Sequence, residues 1–172
     1  EAVENYRAVL GLTPHHVLAR QRLANLLARQ GRYTEAEGEY REVVRLNPSS
    51  VAAHLGLARA LYELDRLDEA IGCLRNLLAL NPNCAEACIN LGPLLAERGD
   101  MAEAVACLEK ALEINPDNPI AHKNLGALYG MQGSYDKEIA CYGKALELKP
   151  DYIECHGSLA SIQLSIGLFA QG

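Results

Sequence analysis

The chain has 172 residues, a formal net charge of −6, and 49% hydrophobic against 22% charged residues. That is apolar content enough for a substantial core, while the acidic balance argues against nucleic acid and anionic membranes, both of which want a basic stripe. No apolar run reaches the roughly 18 residues needed to span a membrane, so no membrane insertion is expected.

Pro14, Pro48, Pro82, Pro116 and Pro150 stand 34 residues apart. A fixed period of this size marks stacked supersecondary units. In chain order there is a half repeat at 1–16, full repeats at 17–50, 51–84, 85–118 and 119–152, and a partial repeat at 153–172. This pattern predicts a single array that is a fragment of a longer protein. Each repeat carries two apolar stripes at helical spacing. In the third, Ala85, Ile89, Leu91, Gly92 and Leu95 form one, and Ala104, Val105, Leu108, Ala111 and Leu112 the other. The expectation is all-α, with about ten helices: one leading, four antiparallel pairs and one trailing.

Turn signals divide the stripes. Gly31, Gly99, Gly133 and Gly167 fall where a helix end wants a left-handed residue, with Asp65 in that place in the second repeat. Thr34 with Glu37, and Asp100 with Glu103, have capping-box spacing. Asn118 before Pro119 predicts an N-cap followed by a first-turn proline. Each second helix should end at its Asn-Pro or Lys-Pro step. Phe169 to Gly172 would open a further helix. Small residues at the eighth place (Ala24, Ala58, Gly92, Gly126, Ala160) and the twentieth (Ala2, Ala36, Ala70, Ala104) mark close approach of paired helices. Tyr6, Tyr40, Leu74, Leu108 and Tyr142 fill the wider gap. Glu138 breaks the series and should press a carboxylate toward Gly126, a costly position for an unpaired charge. Pro93, inside a helix, should kink it.

Leu91-Gly92, Leu125-Gly126, Tyr129, Ala104, Tyr142 and Pro116 together resemble the tetratricopeptide repeat (TPR) family over essentially the whole chain. The family's opening aromatic is replaced here by Arg20, His54, Cys88, His122 and His156. The resemblance implies a right-handed superhelical solenoid whose first-of-pair helices line a concave groove. It also implies a protein–protein interaction scaffold that binds an extended polypeptide there. The groove places are then held by Arg22, Asn25, Arg29, Arg59, Tyr62, Glu86, Asn90, Lys123 and Asn124, with Glu63 and Glu97 beside them.

Asn90 and Asn124 stand one period apart in Asn-Leu-Gly steps. A carboxamide can bond a peptide N–H and C=O together, so the pair forms two rungs of a backbone-reading ladder, or else only holds repeats in register. These steps also look like the superhelical domain of O-linked N-acetylglucosamine transferases and their bacterial relatives, where inward Asn residues grip substrate polypeptide. That implies an alternative role as the substrate-recognition arm of a larger glycosyltransferase. Arg22, Gly56 and Ser158 occupy the other rungs. The groove arginines either pair a partner's carboxylate or form a solvated face. Some TPR proteins clamp a C-terminal carboxylate with Lys and Asn. Asn25 holds one such place, but Gly56 and Glu86 hold others, which argues against that subclass.

Six cysteines invite a disulfide framework only in small secreted chains. Cys73, Cys107 and Cys141 sit on the repeat lattice, about one helix spacing apart, which is too far for a disulfide. Reduced thiols in the cytoplasm are expected. The His54, His122 and His156 column is spread too widely to share a metal ion. No phosphate loop, nucleophile elbow or catalytic carboxylate pair occurs, so no cofactor and no enzymatic activity of this chain are expected. Unfinished ends make self-association a further expectation.

Overall fold

The computed structural model describes residues 1–169. These residues form ten α-helices: α1 (Ala2–Leu12), α2 (Val17–Arg29), α3 (Tyr33–Leu46), α4 (Val51–Glu63), α5 (Leu67–Leu80), α6 (Ala85–Arg98), α7 (Met101–Ile114), α8 (Pro119–Met131), α9 (Tyr135–Leu148) and α10 (Ile153–Phe169). No described helix is long and apolar enough to cross a membrane. The chain falls into two compact units, Glu1–Asn90 and a second beginning at Leu91, with the boundary inside α6.

In the first unit α1 packs on α2, α2 on α3, α3 on α4 and α4 on α5, while α2 also touches α4. The helical stripes explain this. Along α4 the residues Ala53, Leu57, Ala58, Ala60 and Leu61 recur at helical spacing, and all are buried. Leu77, Cys84 and Ala87 join α5 to the start of α6. In the second unit α7 packs on α8, α8 on α9 and α9 on α10. Tyr142, Ala145, Tyr152, Cys155 and Ile162 form a core between α9 and α10.

Each turn inside a pair uses a left-handed residue. Gly31, Gly99 and Gly133 have φ of 74°, 98° and 72°, and Asp65 takes the same region at 57°. The chain then folds back with a bond from the next N–H to a carbonyl five residues earlier, as from Arg32 to Leu27 at 3.0 Å and from Arg66 to Leu61 at 3.0 Å. Gly167 does not do this: it lies within α10. Glycine permits a reversal without imposing one, and here it stays helical at a cost of about 1 kcal/mol relative to alanine. Phe169 closes α10 instead of opening a further helix, and Ala170 to Gly172 lie outside the described residues.

The proline steps behave as expected, with α3, α5, α7 and α9 ending at Asn47, Asn81, Asn115 and Lys149. Asn118 caps α8 by accepting from the Ala121 N–H at 3.0 Å, and His16 and Ser50 cap α2 and α4 in the same way. The two expected capping boxes do not form. Arg32, not Thr34, is the N-cap of α3, so Thr34 lies inside the first turn of the helix instead of ahead of it. Glu37 instead pairs with Arg41 and Arg66. Asp100 is the N-cap of α7 but makes no cap bond. Its ψ is 57°, against 98° at Ser50 and 106° at Asn118, and its carboxylate turns to Arg98.

Close approach follows the small-residue pattern. A Cβ on Gly92 would meet Leu108 at 2.8 Å, and one on Gly126 would meet Tyr142 at 3.0 Å. Glu138 corrects the expectation: its carboxylate lies over Gly130, not Gly126, within 2.5 Å of where a Cβ would stand. It is buried, and burial holds its carboxyl above the ordinary range. Pro93 sits within the continuous α6.

Candidate functional site

A cavity of about 450 Å³ opens on the first unit, with α2 supplying Asn25, Ala28 and Arg29, α4 supplying Leu55, Gly56 and Arg59, and Tyr40 and Asn90 completing it. Four groove residues expected from the sequence, Asn25, Arg29, Arg59 and Asn90, thus share one wall. Arg22, Tyr62 and Glu86 are exposed but do not line it. Glu86 accepts instead from the Cys84 thiol at 3.7 Å.

The polar groups in this cavity are specifically occupied. The Tyr40 hydroxyl donates to Asn25 Oδ1 at 2.8 Å, and Gln21 Nε2 donates to the same oxygen at 3.1 Å. Both lone pairs of that carbonyl are used, so Asn25 faces the cavity as a donor. Asn90 Nδ2 donates to the Glu86 backbone carbonyl at 2.7 Å, which leaves Asn90 one N–H and its carbonyl oxygen. Burial pushes the Tyr40 phenol up, and the nearby Arg59 charge opposes it. Arg59 has a single long ion-pair contact, 4.0 Å to Glu63, and among the described residues Arg29 has none.

The second unit has its own cavity of about 380 Å³, lined by Pro93, Ala96, Glu97, Asn124, Ala127, Leu128 and Met131. It is largely apolar. Asn124 lies here, in the same lining as Pro93. Lys123 is half-buried and its ammonium stands 5.9 Å from the centre of the Tyr152 ring, which Lys149 also approaches at 4.6 Å.

Tyr40 also explains why a rung is missing. Its ring crosses from α3 to α4, and a Cβ on Gly56 would fall 2.4 Å from Tyr40 Cζ. Ser158 likewise hydrogen-bonds Tyr142. Gly56 and Ser158 therefore follow tyrosines, whereas Asn90 and Asn124 follow the shorter Leu74 and Leu108.

Two features escaped sequence reasoning. Four of the five residues in place of the opening aromatic are donors to a proline carbonyl six positions back. Arg20 Nε reaches Pro14 at 2.9 Å, and Nε2 of His54, His122 and His156 reaches Pro48, Pro116 and Pro150 at 2.9, 2.8 and 2.9 Å. Since a carbonyl only accepts, each of these Nε2 atoms carries the proton. Among the described residues no group of three or more His, Cys, Asp or Glu is placed to hold a metal. His54 Nδ1 then faces the buried Cys73 thiol at 3.5 Å. Burial pushes that thiol up to about 11, so it is protonated and unreactive. No disulfide joins the six cysteines. The second feature is a ladder of ion pairs on the second-of-pair helices: Arg7 to Glu35 at 2.7 Å, Arg41 to Glu69 at 3.2 Å, and Arg66 to Glu37 at 2.7 Å. Its signal was in view, since Arg7 and Arg41, and Glu35 and Glu69, are each one period apart.

Family models for the tetratricopeptide repeat match residues 1–51, 22–84 and 119–152, and a TPR repeat model matches 92–133. The fold is similar to a crystal structure of MamA, with TM-score 0.76 and 26% identity over 88% of this chain and 89% of that one. TTC0263, a thermophilic TPR protein in Thermus thermophilus, gives 0.79 and 25% over 94% of this chain and 89% of that one. YrrB, a TPR protein with an unusual peptide-binding site, gives 0.74 and 23% over 92% and 81%, a likeness of fold. Curated protein sequences give no match. With the helix pairs, the left-handed turns and the small-residue approaches in place in each unit, the chain belongs to the tetratricopeptide repeat family.

Proposed function

We propose that this chain is a non-catalytic protein-interaction scaffold that holds an extended polypeptide against its first-of-pair helices. The observation that carries this reading is the cavity in which Asn25, Arg29, Arg59 and Asn90 meet. Asn90 keeps a donor and an acceptor there, the two functions needed to read a peptide unit. Arg22, Tyr62 and Glu86 in the first unit, and Lys123 and Asn124 in the second, are the remaining proposed contacts. The repeats act as one array, the thiols point to a reducing, cytoplasmic setting, and any self-association is a secondary property that concentration-dependent scattering would reveal. The test is the double variant Asn90→Ala, Asn124→Ala, titrated against a library of extended peptides. Weaker binding with unchanged helical circular dichroism is expected; unchanged binding would remove both residues from the interface.

A further inference from the structure

Another cavity of the first unit, of about 440 Å³, lies between the second-of-pair helices α3 and α5 and shares no lining residue with the groove cavity. The geometry points to it as a docking site for the ring of a tyrosine carried by a second polypeptide. The ground for this is internal to the chain. The cavity is lined by Leu57 and Leu61 of α4, Arg41 of α3, and Glu69 and Gly72 of α5. Two periods later the same places are held by Leu125, Tyr129, Glu109, Lys137 and Ala140. There the chain supplies a ring of its own. Tyr129 is buried, its hydroxyl donates to Glu109 at 3.0 Å, and the Lys137 ammonium stands 5.0 Å from the ring centre. That ring joins α7 to α9. In the first unit Leu61 stands where Tyr129 does, the ring is missing, and Arg41 reaches Glu69 directly at 3.2 Å.

The chemistry of the lining suits a phenol. Leu57 and Leu61 are buried and give an apolar floor, and the Cys73 thiol beside them is satisfied by the His54 carbonyl at 3.5 Å. Arg41 donates Nε to Glu37 and Nη2 to Glu69, and its Nη1 has no partner among the described residues. A guanidinium stacks on an aromatic face, as the Lys137 ammonium does on Tyr129. A phenolic oxygen both accepts and donates, so it takes a proton from Arg41 and gives one to the Asn76 carboxamide, which is also in the lining. The Arg41–Glu69 contact joins half-exposed side chains, and opening it costs little. Nothing lies within 4 Å of a Cβ at Gly72, which keeps the entrance wide. Arg45 and Asn76 beside it are exposed, so a chain can run past the mouth. In the preceding repeat the places of His54 and Cys73 are held by Arg20 and Glu39, whose longer side chains pair there.

The test follows backbone amide NMR shifts of the full chain with three probes: p-cresol, which is the tyrosine side chain, its saturated counterpart 4-methylcyclohexanol, and an acetylated, amidated Gly-Tyr-Gly peptide. We expect p-cresol to shift the amides of Leu61, Gly72 and Cys73 saturably, with a dissociation constant of about 1 mM. It should bind about tenfold tighter than the saturated alcohol, and the peptide at least as tightly as p-cresol. Leu61→Tyr puts the chain's own ring in the cavity, and Gly72→Leu fills it from α5. Each should abolish the shifts, while Gly38→Leu, at the same place one repeat earlier, keeps them. Circular dichroism checks that each variant is folded, and the two blocking changes lie on different helices, so one misfolded variant does not spoil the test. Equal binding of p-cresol and the saturated alcohol, no saturable shift, or binding that survives both blocking variants overturns the site. Binding of p-cresol without the peptide overturns the polypeptide assignment and leaves a pocket for free phenols. Shifts at Asn25 and Asn90 in their place put the ring in the groove and overturn the inference as well. The groove reading has its own variants and stands or falls separately.

Discussion

Gly56 and Gly72 offer an internal comparison of what packing adds to helix propensity. Both are helical, in α4 and α5 of the same unit. Replacing either by Ala should gain about 0.5–1 kcal/mol from propensity and lost unfolded-state entropy. At Gly72 nothing lies within 4 Å of the new Cβ, so the gain stands alone. At Gly56 the Cβ would sit 2.4 Å from Cζ and 2.5 Å from Cε1 of Tyr40. The ring is rigid and its hydroxyl is tied to Asn25, so it must shift and loosen that bond. Overpacking of this kind costs about 1–3 kcal/mol. Gly72→Ala should therefore raise the melting temperature and Gly56→Ala lower it or leave it flat, each kcal/mol moving Tm by about 2–4 °C in a chain of this size. Thermal unfolding followed by circular dichroism reads both. In a Tyr40→Leu background, which copies the Leu74 place, Gly56→Ala should regain its propensity benefit. A Gly56→Ala that stabilises as much as Gly72→Ala would refute the argument that Tyr40 crosses onto α4.

Three further outcomes are expected. Glu138 has its carboxyl raised above 4.5 by burial, so its contribution is favourable below that pH and is lost as pH rises through its folded value; Glu138→Gln should be more stable than the parent at pH 7, with the gap closing toward pH 4 in denaturation curves. Asp65 adopts φ of 57°, so Asp65→Gly should stabilise by about 0.5–1 kcal/mol, read as a rise in urea midpoint, whereas Gly31→Asp should destabilise. His122→Ala should cost about 0.5–1.5 kcal/mol through the lost bond to Pro116, while His122→Arg should retain most of it because Arg20 makes the same bond to Pro14; equal losses in the two variants, measured by urea unfolding, would detach the residue from that role.

Sequence alone determined the ten helical stripes, their pairing and the turns between them, because these depend on local chemistry: helical spacing of apolar residues, glycine where φ is positive, proline where a helix stops. Of its nine expected groove places, Asn25, Arg29, Arg59 and Asn90 line the first cavity, while Arg22, Tyr62 and Glu86 of the same unit do not. What it missed required neighbours in space. Thr34 has capping-box spacing, yet the turn after Gly31 starts the helix two residues too early for it to cap. Position four looked like a departure from an aromatic, and only the fold shows that Arg20, His54, His122 and His156 donate to a proline carbonyl. That position 56 is glycine where Asn90 and Asn124 stand in later repeats was decided by tertiary contact, since the Tyr40 ring fills the space a Cβ would take. Whether an arginine is neutralised or left facing a cavity is likewise a matter of distance between helices. Periodicity specifies which side chains face a neighbour, but only packing specifies what they find there.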